Sequence, residues 1–249
     1  MKVAAYIIEE LSKYPIHFAL IDPDKQDAEK AGYLASCAEK AGSSAIMIGG
    51  STITSQKQVD DTVKAIKEKT SLPVILFPSG ARFLSKYADA IFFMSLLNSK
   101  NLDYVIREQM RGALIIKKFG IEPISMGYLI IEPGMTVGKV GDAELVKRHD
   151  YTTAIGYALA AQYLGMSLIY LEAGSGAPES VPNDMIRKVK EEVDIPVVVG
   201  GGIKNATVAR EKVSAGADIV VTGTALEEDK DVEKNLSEIV KTIKSCGRV

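Results

Sequence analysis

The chain has 249 residues, of which 47% are apolar and 25% are charged, and its formal net charge is −2. This length permits one large domain or two small ones, and it can bury a core without disulfide or metal support. The near balance of 30 basic and 32 acidic residues, with no basic block, argues against a nucleic-acid partner.

The cysteines and the apolar runs indicate the class of protein. Cys37 and Cys246 lie far apart and form no CxxC pair, so neither a disulfide framework nor a thiolate zinc site is expected. No apolar run approaches the ~18 residues that a bilayer span requires. Glu9 and Glu10 stand where a signal peptide would be apolar. These features predict a globular protein of the reducing cytoplasm.

Short apolar runs alternate along the chain with longer amphipathic stretches. The runs are apolar on both alternating faces, as strands buried on both sides are, and cover residues 17–22, 45–50, 73–78, 90–95, 124–131, 168–174, 196–202 and 218–223. The stretches have a helical spacing of apolar residues and cover residues 27–41, 56–70, 102–119, 152–164, 183–193, 206–215 and 231–245. The alternation predicts parallel strands joined by crossover helices.

The number of predicted strands decides between two architectures. Eight strands in a chain close to the ~250 residues of a typical (β/α)8 TIM barrel favour a closed barrel. An open doubly wound sheet would have a glycine fingerprint after its first strand, where this chain has Asp22-Pro23-Asp24-Lys25. No linker-like tract divides the chain, so residues 1–249 are predicted to form a single α/β domain, a TIM barrel.

Two segments depart from the regular alternation. Residues 79–89, between the third and fourth predicted strands, are too few for a full crossover helix. Residues 132–150, after the fifth, form a long loop with Pro133, Gly134, Gly138 and Gly141. In a barrel this loop would lie at the C-terminal ends of the strands, where TIM-barrel active sites are found.

Glycine-rich segments follow the sixth, seventh and eighth predicted strands. Residues 200–202 are Gly-Gly-Gly before a helix that Asn205 is expected to cap, and residues 223–224 are Gly-Thr. Each cluster alone could be a tight turn, but the loops after strands seven and eight form the phosphate site of many TIM barrels. Gly174, Ser175 and Gly176 could supply a third set of donors. Together these loops predict a phosphate-binding site.

Acidic side chains stand at the ends of two strands. Glu172 follows Tyr170 by two residues, so both side chains point the same way. Glu172 is interpreted as a general base or a hydroxyl-binding carboxylate, and the alternative is a structural ion pair with a lysine. Asp22 and Ser51 follow neighbouring strands, and a carboxylate with a hydroxyl suits Mg²⁺. The alternative is that the Asp22–Lys25 turn caps a helix, for which Asp24 fits better than Asp22.

The histidines favour no imidazole chemistry. His17 lies at the wrong end of its strand for catalysis, and His149 is isolated in the long loop. A zinc site or an imidazole-based mechanism is therefore not expected.

Seven motifs in order resemble the geranylgeranylglyceryl phosphate synthase family. They are HFALIDPDK, AIMIGGS, SLLNSKN, GYLIIEPG, YLEAGSGA, VVVGGGIK and VVTGTALE, and they extend over nearly the whole chain. The resemblance implies a (β/α)8 prenyltransferase of ether-lipid synthesis that joins sn-glycerol 1-phosphate to geranylgeranyl diphosphate with Mg²⁺ and releases pyrophosphate. It also implies a short irregular segment in place of the third barrel helix.

The resemblance implies a role for each site residue. Asp22 and Ser51 match the metal positions, and Glu172 would accept the proton of the attacking hydroxyl while Tyr170 orients it. The positions that match the glycerol phosphate site are Tyr170, Leu171, Glu172, Ala173, Gly174, Ser175, Gly176, Gly201, Gly202, Gly223 and Thr224. One branch of the family has a lysine two residues before the metal-binding aspartate. Leu20 at that position indicates the other branch, usually called group II, and leaves open which group supplies the lysine's charge.

Further expectations concern the prenyl tail and the partners. Phe77, Phe92, Met94 and Tyr128 are candidates for an apolar groove, although they could equally be barrel core. The family forms dimers and hexamers, so a homo-oligomer is expected, as is transient membrane contact when the product leaves.

Three alternatives to geranylgeranyl transfer remain open. The first is transfer of a prenyl chain of another length. The second is a sugar-phosphate isomerase or aldolase, for which Lys25 and Lys204 are weak candidates because both lie within turns. The third is a non-catalytic anion-binding scaffold, which would not need Asp22, Ser51 and Glu172.

Overall fold

Eight parallel strands close into a barrel in the order of the sequence, as predicted. The structure is a computed structural model that describes residues 2–50, 53, 55–223 and 231–247. The strands are β1 (Ile16–Ile21), β2 (Ala45–Ile48), β3 (Val74–Leu76), β4 (Ala90–Leu96), β5 (Glu122–Ile130), β6 (Leu168–Glu172), β7 (Val197–Gly200) and β8 (Ile219–Thr222). Each strand pairs with the next, and β8 pairs with β1 from Ile16 opposite Ile219 to Ala19 opposite Thr222.

The described part of the chain also contains helices between the strands and at the ends of the barrel. They are α1 (Val3–Lys13), α2 (Ala28–Ala41), α3 (Gln56–Lys69), α4 (Glu108–Phe119), α5 (Met135–Val140), α6 (Tyr151–Tyr163), α7 (Asn183–Glu192), α8 (Ala206–Ser214) and α9 (Val232–Ser245). A π-helical turn, Asp103–Arg107, precedes α4. Residues 79–89 contain neither helix nor strand, so the prediction of an irregular segment here is confirmed.

Helix α1 was not predicted, and it closes one end of the barrel. Its buried residues Val3, Ile7 and Leu11 follow a four-residue spacing and pack with residues at the starts of the strands, among them Ile16. The backbone N–H of Val3 donates to Oε2 of Glu122, the first residue of β5, at 2.6 Å. Helix α1 does not cover the opposite end, where the strands finish, and a functional site can lie there.

Residues 132–150 contain a helix that the sequence prediction did not include. Helix α5 lies within this segment, and the backbone N–H of Gly134 just before it donates to the carbonyl of Ala173 at 3.0 Å. Val137, Val140 and Gly141 line a cavity at the C-terminal ends of the strands. The segment therefore lies where it was expected, but it is not irregular throughout.

Five aromatic rings fill the barrel interior below its open end. Phe18 stacks on Phe92 with ring centroids 6.3 Å apart, and Phe77 contacts Phe92 edge-on. Phe77 also contacts Tyr128 and Tyr170, with centroid distances of 5.2 and 5.7 Å. These offset and edge-on contacts form an apolar floor beneath the ends of the strands.

His17 makes an acid-sensitive contact between strands rather than a catalytic one. The ring is fully buried, with Nδ1 2.8 Å from Ser43 Oγ and Nε2 2.9 Å from Thr222 Oγ1. Burial lowers its pKa from 6.5 to about 3. The unfolded chain therefore takes up this proton first, so acid favours unfolding.

We expect this histidine to steepen the acid unfolding of the protein. Between pH 6 and pH 4, the free energy of unfolding should fall by about 1.4 kcal/mol per pH unit through His17 alone. In His17→Gln that contribution is absent, so the variant should be less stable at pH 7 but should lose less stability on acidification. Urea unfolding at several pH values measures both slopes, and equal slopes would contradict the assignment.

Candidate active site

Glu172 lies at the open end of the barrel, where it is only 6% exposed. It is the last residue of β6 and stands between Ile130 of β5 and Gly200 of β7. Its Oε1 accepts the backbone N–H of Gly174 at 2.6 Å. A Cβ on Gly201, where φ is +81°, would lie 2.4 Å from the same oxygen. Glycine at 201 therefore leaves room for the carboxylate.

The surroundings of Glu172 raise the pKa of its carboxyl group towards 7. Burial, together with the smaller effect of the Asp22 charge, raises the pKa of the carboxyl to about 7 against the opposing effect of the Tyr170 hydroxyl and the Gly174 N–H. Among the described residues, no lysine forms an ion pair with Glu172, which disfavours the alternative of a structural ion pair. A carboxyl group with this pKa can take up and release a proton near pH 7.

Tyr170 is held in the barrel interior beside Glu172. Its ring packs against Phe77 and lies edge-on to Tyr128, with centroids 5.7 and 5.1 Å apart. A Cβ on Gly200 would lie 2.1 Å from the Tyr170 hydroxyl, so the β7 backbone can pass the hydroxyl only because residue 200 is glycine. Burial and the Glu172 carboxylate raise the pKa of Tyr170 well above 10, and the hydroxyl remains a hydrogen-bond donor.

A polar pocket lies between the ends of β6, β7 and β8. Seven of the residues predicted for glycerol phosphate line it: Tyr170, Glu172, Ser175, Gly176, Gly201, Gly202 and Gly223. Asn205 caps α8 as predicted by accepting the N–H of Val208 at 3.0 Å, so the start of this helix follows directly after the pocket. Thr224 lies outside the described residues.

Three other residues of the predicted set do not line this pocket. The side chains of Leu171 and Ala173 pack in the core between strands and helices, because alternate residues of β6 face outwards. The Ala173 N–H donates to the carbonyl of Gly200, and its carbonyl accepts from Gly134, so neither group is available. The Gly174 N–H donates to Oε1 of Glu172 at 2.6 Å.

Lys204, a weak candidate for catalysis from its position in a turn, lines the polar pocket. It follows Gly201 and Gly202, whose φ angles of +81° and +69° turn the chain at the end of β7. Among the described residues that line this pocket, which also include Leu20, Lys204 is the one cation. The residue types alone did not indicate this, because the direction of a turn depends on its dihedral angles.

Asp22 is the described part of the predicted metal site, and Ser51 lies outside the described residues. The Asp22 carboxylate is 9% exposed, pairs with Lys25 Nζ at 3.1 Å, and has its pKa raised by burial. The alternative that this turn caps α2 is disfavoured, because Asp27 caps that helix by accepting the N–H of Lys30.

The residues present are compatible with Mg²⁺. No group of three or more His, Cys, Asp or Glu side chains in the described part of the chain could enclose a metal ion. Mg²⁺ commonly uses one or two carboxylates and takes its other ligands from water and substrate phosphates. Asp22, buried at the edge of a cavity that also includes Glu172, fits that pattern.

An apolar groove of ≈ 180 Å³ leads away from Asp22 and Glu172 towards α4. Phe77, Phe92, Met94 and Tyr128 line it as predicted, although Phe92 and Tyr128 are also buried core residues. Segment 79–89 forms one wall because no helix stands there, and α4 forms another. Oε2 of Glu108 accepts the N–H of Ala81 at 2.7 Å and ties these two walls together.

Comparison with known proteins gives close matches over nearly the whole chain. Residues 7–243 match the PcrB family. The chain is 55% identical over 233 residues to a geranylgeranylglyceryl phosphate synthase of Pyrococcus horikoshii, covering 94% of this chain and 92% of that protein. The corresponding protein of Thermococcus kodakarensis is 55% identical over 246 residues, covering 98% of both chains.

A solved structure has the same fold over nearly the whole chain. The crystal structure of (S)-3-O-geranylgeranylglyceryl phosphate synthase from Thermoplasma acidophilum, in complex with its substrate sn-glycerol-1-phosphate, superposes with a TM-score of 0.97. It is 46% identical to this chain and covers 99% of it, and the whole of that chain is matched.

Proposed function

The chain belongs to the PcrB family, and we propose that it is a prenyltransferase that joins sn-glycerol 1-phosphate to geranylgeranyl diphosphate. The observation that carries this proposal is the junction of a polar pocket and an apolar groove, which share Leu20, Glu172 and Ser175. A phosphate-bearing substrate and an apolar chain would meet at the Glu172 carboxylate. The substrate named for the Thermoplasma acidophilum enzyme supports the same assignment.

The reaction follows from this arrangement. The glycine-rich turns at Gly176, Gly201 and Gly223 hold the phosphate of glycerol 1-phosphate in the polar pocket. The primary hydroxyl of the glycerol attacks the allylic carbon of the diphosphate, and its proton passes to Glu172. The new bond between the glycerol oxygen and the allylic carbon is the ether bond. The bond between the allylic carbon and the diphosphate oxygen breaks, and pyrophosphate leaves. Catalysis then depends mainly on positioning and electrostatics.

We propose Mg²⁺ as the cofactor, with Asp22 and Ser51 as its protein ligands. When bound, the ion supplies positive charge that stabilises the departing pyrophosphate. Asp22 contributes a buried carboxylate at the edge of the groove, and Lys25 lies beside it as a second positive charge for a phosphate group.

Incubation with labelled sn-glycerol 1-phosphate, geranylgeranyl diphosphate and Mg²⁺ tests the function. We expect an organic-extractable product, and little of it when sn-glycerol 3-phosphate replaces the substrate. Absence of product with prenyl diphosphates of every length would refute the proposal. Preference for a longer or shorter donor would instead select the alternative of another prenyl chain length.

The same substrate tests the role of Lys204. We propose that the Lys204 ammonium, which lines the polar pocket, offsets the phosphate charge. Lys204→Met should therefore raise KM for glycerol 1-phosphate about tenfold, as loss of a charge-assisted contact does. Steady-state kinetics measures the change, and Lys241→Met on the exposed face of α9 is the control. An unchanged KM would mean that another group supplies the positive charge.

Gly112 of α4 allows a test of the prenyl groove. A Cβ there would be in ordinary contact with Ala81, Leu84 and Ile116 at 3.5–3.7 Å, so any larger side chain must extend into the groove. Gly112→Phe should lower kcat/KM for the 20-carbon donor at least tenfold and affect a 10-carbon donor much less, because each buried CH₂ contributes ~0.8 kcal/mol. Gly156→Phe, on the exposed side of α6, is the control. An equal loss for both donors would argue against the groove.

We also propose that the protein is a homo-oligomer, a dimer or a hexamer. Four apolar side chains spaced four residues apart are 53–78% exposed, from the residue just before the π-helical turn into α4: Leu102, Ile106, Met110 and Leu114. A contiguous exposed apolar stripe is typical of a protein interface. Sedimentation of the wild type and of Leu114→Glu tests whether this stripe joins subunits.

Transient membrane contact completes the proposal, since the prenylated product must pass into a lipid phase. None of the helices that the structure describes is both long and apolar enough to cross a membrane. Co-sedimentation with lipid vesicles, with and without product, measures this contact.

A further inference from the structure

Two cations hold the loop between β6 and α7 from opposite sides. This loop, residues 173–182, will be called the β6–α7 loop. On one side, Nζ of Lys212 in α8 donates to the carbonyl of Val181 at 2.9 Å and to Oδ1 of Asn183 at 2.7 Å. On the other side, Nη2 of Arg148 donates to the carbonyl of Ser180 at 3.0 Å. Two successive carbonyls therefore each accept a hydrogen bond from a cationic side chain.

The stability of the fold alone does not explain why the ammonium group of Lys212 is buried. It is 5% exposed, and its two hydrogen-bond acceptors are a carbonyl and an amide, both neutral. Burial lowers the pKa of its ammonium group. A buried ammonium without a contacting carboxylate is costly, so an apolar residue of similar length would serve packing alone at least as well.

Arg148 joins the β6–α7 loop to the segment before α6. Its Nη1 donates to the carbonyl of Glu132 at 3.3 Å, and its guanidinium pairs with Glu179 at 3.1 Å. The Arg148 backbone N–H donates to Oε2 of Glu132. One residue thus links the loops that follow β5 and β6.

The β6–α7 loop carries groups that shape the polar pocket at its other end. Ser175 and Gly176 line the pocket, and the Gly174 N–H donates to Glu172. Gly174 and Gly176 have φ angles of +101° and +70°. Because glycine is conformationally permissive, these positions need support from outside to hold one conformation.

The backbone of the β6–α7 loop also lies against a second wall of the pocket. A Cβ on Gly202 would lie 2.9 Å from the Ser180 backbone nitrogen and 3.0 Å from the Ala177 carbonyl. The loop therefore packs directly on the β7–α8 turn that lines the pocket, and a shift of residues 180 and 181 would move that turn.

We propose that Lys212 and Arg148 are positioning residues. They hold the β6–α7 loop, and with it the β7–α8 turn at Gly202, in the geometry that binds the phosphate of glycerol 1-phosphate. The proposal rests on the proposed function for the identity of the ligand. Neither cation lines the polar pocket, so their effect passes through the backbone of the loop. Such preorganisation acts on substrate affinity more than on the chemical step.

The test compares Lys212→Met and Arg148→Met with a matched control. In the control, Lys190→Met removes the Nζ that donates to Asp218 at 2.7 Å, an ion pair next to the start of β7 and away from the pocket. Calorimetry with glycerol 1-phosphate and steady-state kinetics give Kd, KM and kcat. We expect both site variants to raise Kd and KM about tenfold or more, to change kcat less than threefold, and to differ little from the control in melting temperature.

Other outcomes overturn the proposal. Unchanged Kd, or a loss confined to kcat, would mean that the cations do not position the phosphate site. Lys212→Arg, which keeps the donor, should recover most of the affinity. Arg148→Met, at a half-buried position, keeps the test possible if Lys212→Met does not fold. If the wild type bound glycerol 1-phosphate but formed no ether, the proposed function would be refuted. The role of Lys212 and Arg148 would not be refuted, because the Kd values of the wild type and the variants could still be compared by calorimetry.

Discussion

Replacement of Glu172 with glutamine is expected to lower kcat by roughly 10²–10⁴-fold, the usual contribution of a general base. Glutamine keeps the shape of the side chain, and its Oε1 can still accept the Gly174 N–H, so Kd for glycerol 1-phosphate should change less than threefold. The acid limb of kcat/KM, which reports ionisation of a group with a pKa of about 7, should disappear in the variant. Initial rates between pH 5 and pH 9 measure both effects.

The stability of the same variant gives an independent check on Glu172. The folded-state pKa lies above the value of 4.5 expected for the unfolded chain. The folded protein therefore binds the proton more tightly, and wild-type stability falls relative to Glu172→Gln as pH rises from 4.5 to about 7, by about 1.4 kcal/mol per pH unit. Above pH 7 the difference becomes constant. Full activity in Glu172→Gln, with Glu144→Gln as the control, would exclude a base at this position.

The second large effect is expected for Asp22→Asn, which should lower kcat/KM by roughly 10²–10³-fold and raise the Mg²⁺ concentration needed for half-maximal rate. The reason is that asparagine keeps the size of the side chain but lacks the charge that a hard cation requires. Because the wild-type carboxylate is buried and costly to ionise, the melting temperature should change little. Titration of activity with Mg²⁺ measures the shift.

Asp27→Asn provides the matched control for this variant. Asp27 caps α2, and asparagine is as good a cap as aspartate, so both activity and stability should be retained. If Asp22→Asn instead lost stability and activity in equal measure, with an unchanged Mg²⁺ requirement, Asp22 would be a structural residue of the turn.

The closed barrel could be predicted because its evidence is local. Runs that are apolar on both faces, counted in order, gave eight strands, and the missing third helix followed from the length of residues 79–89. Helix α1 was missed although Val3, Ile7 and Leu11 have helical spacing. The helix packs against the end of the barrel, which is formed by strands from distant parts of the sequence. The residues near α1 in the sequence therefore do not reveal this packing.

The candidate site could be predicted as far as strand ends determine it. Asp22, Tyr170 and Glu172 lie at the open end because alternate residues of a strand point the same way. The same alternation turns the side chains of Leu171 and Ala173 outwards, away from the pocket. The family resemblance alone did not indicate this. Lys204, Arg148 and Lys212 depend on turn geometry and on contacts with chain segments about 30 residues away, which residue order does not encode.

The contact of α1 with Glu122 bears on how the protein is made. The helix leaves the ribosome well before the carboxylate that accepts its Val3 N–H, which is synthesised 119 residues later. Final closure between β1 and β8 waits for residues near 220. Until then, the apolar faces of α1 and the early strands lack their partners. Such late, long-range contacts slow folding and expose unfinished chains to aggregation, so nascent chains cut short before β8 should depend on chaperones.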